Sequence, residues 1–211
     1  MLNEQQSDLL KEYVNVFTGK AASMLSEMAN QKILLRVPEV EVLHMAQDGV
    51  DALKKISLFS EGHIVSSVMN FGHDFSGRAL LIFPAEKAKN LVDACLGDGN
   101  GEDASAVSLE DTDFDVLKEI SNVLLNSIIG EFANMLGVKL EFTLPDVELI
   151  FVSEFEQKMY LKNNNIYILM LYTVFTLAET KVDGVVVIAL GMDSLNMLVA
   201  KLDEVLGEAN G

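Results

Sequence analysis

The sequence predicts an α+β fold: one internally duplicated, pseudo-twofold domain in which long helices pack on an antiparallel β-sheet. Three observations predict it. The chain matches itself at an offset of 107 residues, each copy reads as helix, strands, helix, and half of the 211 residues are hydrophobic while 22% are charged. That balance gives a soluble surface and enough apolar side chains for a core. At the offset, Asp8, Leu10, Lys11, Glu12, Asn15, Val16, Met28, Lys32, Pro38, Val40 and Glu41 fall on Asp115, Leu117, Lys118, Glu119, Asn122, Val123, Met135, Lys139, Pro145, Val147 and Glu148. These are 11 identities in the 34 aligned pairs from residue 8 to residue 41, where average residue usage gives roughly two. The same offset carries Gly77 onto Gly184 without a gap.

The elements follow in order within each copy. A helix starts at a capping box, Asn3 with Gln6 in the first copy and Ser108 with Asp111 in the second, and runs to about Asn30 or Gly137. A strand enters Pro38 or Pro145 and continues as VEVLHM or VELIFV. Two more β-rich runs follow, SSVMNF and RALLIF in the first copy, IYILMLYTVFTL and VVVIAL in the second. An amphipathic helix then closes each copy, with Gly97 or Gly207 expected just past its last turn. Residues about 1–98 and 106–211 are the two repeats of one domain, joined by the acidic, Gly-rich loop GDGNGEDAS at 97–105.

Charge narrows the function. Fifteen Lys and Arg against 32 Asp and Glu leave a net charge of −17, a field that repels phosphate backbones and anionic headgroups, so nucleic acid and membrane are not expected partners. Cys95 stands alone, which excludes an intrachain disulfide, and MLNEQQSDLL is acidic where a secretory leader would be basic and then apolar. The apolar run 166–178 falls short of the roughly 20 residues of a spanning helix. A cytoplasmic location is the expectation.

At about 100° per residue, Leu10, Tyr13, Val14, Phe17, Ala21, Met24, Leu25 and Met28 share one face of the first helix, and Asp8, Glu12 and Asn15 form a stripe on the opposite face. The second copy repeats the stripe as Asp115, Glu119, Asn122 and Asn126, flanked by Val123 and Ile129, so its helix is expected to be the more buried. Asn is a mediocre helix former. Its retention mid-helix in both copies points to use rather than drift.

A carboxylate and a carboxamide one turn apart, with no Ser or Cys paired to a His, do not support triad-type nucleophilic catalysis. A carboxamide does accept from and donate to one water at once, which orients that water for in-line attack on a phosphoryl group. A carboxylate meets a cation on a partner. Such a pair supplies positioning, so the reacting phosphate and any metal belong to the other protein.

DLLKEYVNVFTGKAASMLSEM and DVLKEISNVLLNSIIGEFANMLG, each with a Pro 23 residues after its Asn, resemble the paired signature helices of the CheC, CheX and FliY phosphatases of chemotaxis. The resemblance spans both repeats, and the two-site length is similar to CheC. It implies a phosphatase acting on a phosphorylated CheY-like receiver of a two-component pathway. By that resemblance Asn15 and Asn122 orient the water, Glu12 and Glu119 pair with the regulator's active-site Lys, and Asp8 and Asp115 open the motif as partner-binding positions. It implies no cofactor of the chain's own, with Mg2+ expected on the phosphorylated partner, and a CheD-like deamidase as a further partner. The sequence departs from the pattern at the residue before each Asn, usually Gly and here Val14 and Ser121, and the Gly-rich turn after the first Asn survives as Gly19. The alternative is a non-catalytic adaptor or switch-like module that binds a receiver domain without hydrolysing its phosphate.

Other motifs fall away. Asp111, Asp113 and Asp115 alternate as in a calcium loop, but Val116 and Asn122 stand where Gly and Glu are required. His44, His63 and His73 lack metal-ligand spacing, and no metal site is expected. Met24 and Met28 are expected to fill gaps in the core. No Gly-rich phosphate loop precedes a helix.

Overall fold

A computed structural model describes residues 2–45, 47–48, 62–96, 109–155, 166–177 and 180–209. The first helix, α1 (Glu4–Met28), is closed at its start by the reciprocal Asn3–Gln6 capping box. Asn30, in the left-handed region at φ 49, turns the chain out of it, a conformation that Asn tolerates better than most residues. Strands β1 (Ile33–His44), β2 (His63–His73) and β3 (Gly77–Pro84) follow, then α2 (Ala85–Leu96). The second half comprises α3 (Asp111–Leu136), β4 (Leu140–Phe142), β5 (Asp146–Phe151), β6 (Tyr167–Leu177), β7 (Thr180–Leu190) and α4 (Met192–Ala209).

Among the described residues seven strands join one sheet in the order β1-β6-β7-β3-β2-β4, with β5 also pairing β2, and every pairing is antiparallel. With β1, β2 and β3 matched to β4–β5, β6 and β7, that order reads the same from either edge. The first strand of each half pairs with the middle strand of the other half, and β3 and β7 meet at the centre. Gly77 and Gly184 flank this central pairing because nothing larger fits. A Cβ on Gly77 would lie 2.3 Å from the Ala189 carbonyl oxygen, and one on Gly184 would lie 2.5 Å from the Phe83 ring.

Period-two alternation splits the apolar side chains between the two faces of the sheet. Val65, Met69, Leu81, Phe83, Leu171, Phe175, Val186 and Ile188 face α1 and α3 in the larger core. Ile64, Leu80, Ile82, Ile168, Met170 and Val187 form a second cluster behind, with Met45, Val152 and Phe155. The helices meet through an edge-to-face Phe17–Phe132 pair and a Lys20–Glu131 ion pair at 2.8 Å. Among the described residues no helix is long and apolar enough to cross a membrane.

Several sequence expectations change. Helix α3 is capped at Glu110, whose N–H donates to Asp113 at 2.9 Å, rather than at Ser108 with Asp111. Glu110 and Asp113 are the repeat equivalents of Asn3 and Gln6, so the duplication located the cap better than the cap-forming Ser did. Ser108 and the acidic stretch 97–105 lie outside the described residues. Helix α4 runs through Gly207 to Ala209. Gly137, by contrast, ends α3 in the left-handed conformation that Gly adopts without strain. Met24 and Met28 are 51% and 37% exposed rather than in the core. The buried face of α1 takes in Thr18 and Ala22 instead, which turns Met24 out, and Met28 lies in the last turn. Among the described residues the methionines that do fill the core are Met69 and Met170, on strands, and Met45, just past the end of β1.

Candidate functional site

Each stripe is held outward by the core on the opposite side of its helix. Leu10, Val14, Phe17, Ala21 and Leu25 are buried along α1, while Asp8, Glu12, Asn15 and Gly19 are exposed. Every buried side chain of this kind contributes about 1.5–3 kcal/mol, which fixes the rotation of the helix and so the direction of the stripe. On α3, Leu117, Ile120, Leu124 and Ile128 are buried, Asp115 and Glu119 are exposed, and Asn122 and Asn126 are half-buried. The second helix is therefore the more enclosed one.

The residues that replace the usual Gly before each Asn point away from the stripes. Val14 is fully buried. The buried Ser121 hydroxyl hydrogen-bonds the Ser67 hydroxyl of β2 at 2.7 Å and the Leu117 carbonyl at 2.6 Å. Both side chains sit beneath their helices, Val14 in the core and Ser121 bonded to the sheet, rather than on the outer faces.

The two outer faces differ in detail. Among the described residues the side chains of Asp8, Glu12 and Asn15 make no hydrogen bond or ion pair, and the backbone carbonyl of Asn15 accepts from Thr18 at 3.1 Å. Val16, next to Asn15, is 59% exposed, an apolar side chain beside the stripe to which a polar pattern does not point. In the second copy the Asn122 carboxamide oxygen accepts from Asn126 Nδ2 at 2.7 Å. Both residues fall on the stripe that the sequence predicts, and their i, i+4 spacing is the signal for that contact.

The start of each long helix is tied to the closing helix of the other half. Gln6 donates to Asp203 on α4 at 2.6 Å, and Lys89 on α2 reaches buried Asp113 at 3.1 Å and Asp93 at 3.0 Å. The Asp93 hydrogen bond, more than those to Asp113, holds the Lys89 ammonium above its ordinary range against the opposing effect of burial. Cys95 offers no nucleophile, since burial pushes its thiol up to about 11 and leaves it protonated at neutral pH. The arrangement offers paired acceptors and amides on open helix faces, suited to positioning a partner's group or a water.

Comparison with known proteins bears on the family and the fold. A model of the CheC-like family matches residues 6–42, the stretch that carries Asp8, Glu12, Asn15 and Pro38. The chain is 30% identical over 155 residues to the flagellar motor switch phosphatase FliY of Bacillus subtilis, a match covering 72% of this chain and 38% of that protein. It is 25% identical over 154 residues to the CheY-P phosphatase CheC of the same organism, covering 70% of this chain and 68% of that one. The chain thus spans well under half the length of the FliY relative. Among solved structures, Thermotoga maritima FliY superposes with a TM-score of 0.76 at 17% identity, over 97% of this chain and 98% of that one. The FliM middle domain of H. pylori superposes at 0.64 with 11% identity, over 95% and 99%. These likenesses bear out the α+β fold and the CheC-like resemblance.

Proposed function

We propose, from the premise that the chain is CheC-like, that it accelerates hydrolysis of the aspartyl phosphate on a CheY-like response regulator. Asn15 and Asn122 orient the attacking water, and Glu12 and Glu119 meet the regulator's Lys. Asp8 and Asp115 extend each acidic stripe toward the docked partner. Water adds to phosphorus, the bond from phosphorus to the regulator's carboxylate oxygen breaks, and inorganic phosphate leaves. The Mg2+ expected on the partner would neutralise charge there, so this chain needs to supply orientation alone. A hundredfold acceleration requires about 2.7 kcal/mol of barrier reduction, within the reach of positioning.

One observation carries the reading. The Asn15 carboxamide is exposed one turn from an exposed Glu12, and among the described residues neither side chain has an internal partner. The two Bacillus subtilis relatives, both named as phosphatases, support it. A CheD-like deamidase remains a further proposed partner, carried by the resemblance.

The test is phosphate release from a phosphorylated receiver domain. Asn15→Ala with Asn122→Ala is expected to return hydrolysis to the receiver's unaided rate while circular dichroism and the melting temperature stay near those of the parent, because both side chains lie outside the core. Parent-level release by that double variant would refute the assignment. Binding without acceleration by the parent chain would favour the adaptor reading, which the same stripes would serve.

A further inference from the structure

We propose, resting on the phosphatase reading above, that Asn126 is a positioning residue: it presets the Asn122 carboxamide, whereas Asn15 has to be ordered when the partner docks. Asn126 lies one turn beyond Asn122 and donates from Nδ2 to its Oδ1 at 2.7 Å. The Oδ1 of Asn126 is itself buried and among the described residues has no hydrogen-bond partner. A buried acceptor left unpaired is a net cost, and Asn in a helix interior is a second one. The second helix bears both costs to keep an amide beside Asn122. At the equivalent place the first helix has Gly19, where an added Cβ would meet nothing within 4 Å. Space for a side chain exists there, and none is present.

The chemistry follows from the valence of the amide. A carbonyl oxygen has two acceptor sites, of which Asn126 occupies one. The second acceptor site and both Nδ2 hydrogens of Asn122 remain for a water. Fixing the plane of the carboxamide in advance removes the ordering that a free side chain undergoes on binding, equivalent to roughly two- to tenfold in rate. Half-burial of Asn122 works in the same direction, since it narrows the rotamers available. The two sites therefore perform one reaction with different degrees of preparation.

The test isolates each site. In an Asn15→Ala background, where the second site remains, Asn126→Gly is expected to lower kcat for phosphate release about fivefold and leave KM for the receiver little changed. Asn126→Asp, equal in size but without the amide donor, is expected to lower it similarly. In an Asn122→Ala background, Gly19→Asn is expected to raise kcat about threefold by installing the same pair beside Asn15. Unchanged or higher kcat with Asn126→Gly, in an Asn15→Ala background that is still active, overturns the inference. A structural arm does not depend on activity. The side-chain amide resonances of Asn122 are expected to move on Asn126→Gly, and unmoved resonances would also overturn the preset pair. Parent-level release by Asn15→Ala with Asn122→Ala removes the phosphatase reading instead, and leaves the pairing to be judged by those resonances.

Discussion

Helices α1 and α3 carry the same Asp, Glu and Asn at repeat-equivalent positions, yet their surroundings differ. Helix α1 lies over the edge strand β1, whose Leu35 and Val37 are buried. At the opposite edge the equivalents, Phe142 and Leu144, are 40% and 72% exposed. The strands differ too. Residues around Pro38 form a bulge between Arg36 and Glu39 inside a continuous β1, whereas Pro145 falls in the gap between β4 and β5. Proline cannot donate to a ladder and is tolerated at edges and bulges, and the two halves use both outlets. Duplication has thus preserved the outward chemistry of the helices while their packing diverged. The contrast locates constraint on the outer faces and at the centre of the sheet.

The largest effects are expected at that centre. Gly77→Ala drives a Cβ into a backbone carbonyl that cannot retreat without breaking the β3–β7 ladder, and should cost about 4 kcal/mol. Gly184→Ala meets the ring of Phe83, which has some freedom to shift, and should cost about 2 kcal/mol. Denaturant unfolding of the two variants measures the difference. Equal losses would show that the centre is more symmetric than these contacts imply.

Next come the ties between the halves. Lys89→Met leaves buried Asp113 without its cation and should cost about 2 kcal/mol, less than a fully buried pair because Lys89 is a third exposed. Gln6→Ala removes a bond to Asp203 and half of a capping box, for about 1 kcal/mol. The pH dependence separates them. The Lys89 ammonium is raised above 10.5, so its stabilisation is fully present below the unfolded value and fades as pH climbs through the folded one. The gap between parent and Lys89→Met should therefore be constant from pH 7 to 9 and close above pH 10.5, while the Gln6→Ala gap should persist there.

The fold was legible where a pattern was repeated. The β runs, the long helices and the outward stripes all follow from period and duplication, because one face of each element must be buried and the other wetted. Strand exchange between halves was not legible, since β1 pairing with β6 rather than β2 depends on which edge each helix covers, and that lies outside local sequence. The sequence shows Asn126 at i, i+4 from Asn122 and Gly19 at the equivalent place after Asn15, but spacing alone did not reveal that the two amides are bonded. Met24 turns outward because the buried face of α1 runs through Thr18, Ala22 and Leu25, a shift of the wheel that apolar periodicity alone does not show, and Met28 lies in the last turn.

The remaining contrasts are smaller and bear on the sites themselves. If the second carboxamide is the prepared one, Asn122→Ala should slow phosphate release about threefold more than Asn15→Ala, a difference of about 0.7 kcal/mol in barrier. Equal losses would make the two faces interchangeable despite their different packing. Smallest of all is the effect expected on α1 near its end. Met24→Lys and Met28→Lys remove exposed apolar surface and add charge to an acidic chain, so each should change stability by less than about 0.5 kcal/mol. A loss near 2 kcal/mol would mean that these side chains are covered in solution. Slower release with unchanged stability would mean that a docked receiver reaches more than two turns beyond Asn15, past Val16, and would extend the contact face of the first helix without involving the second.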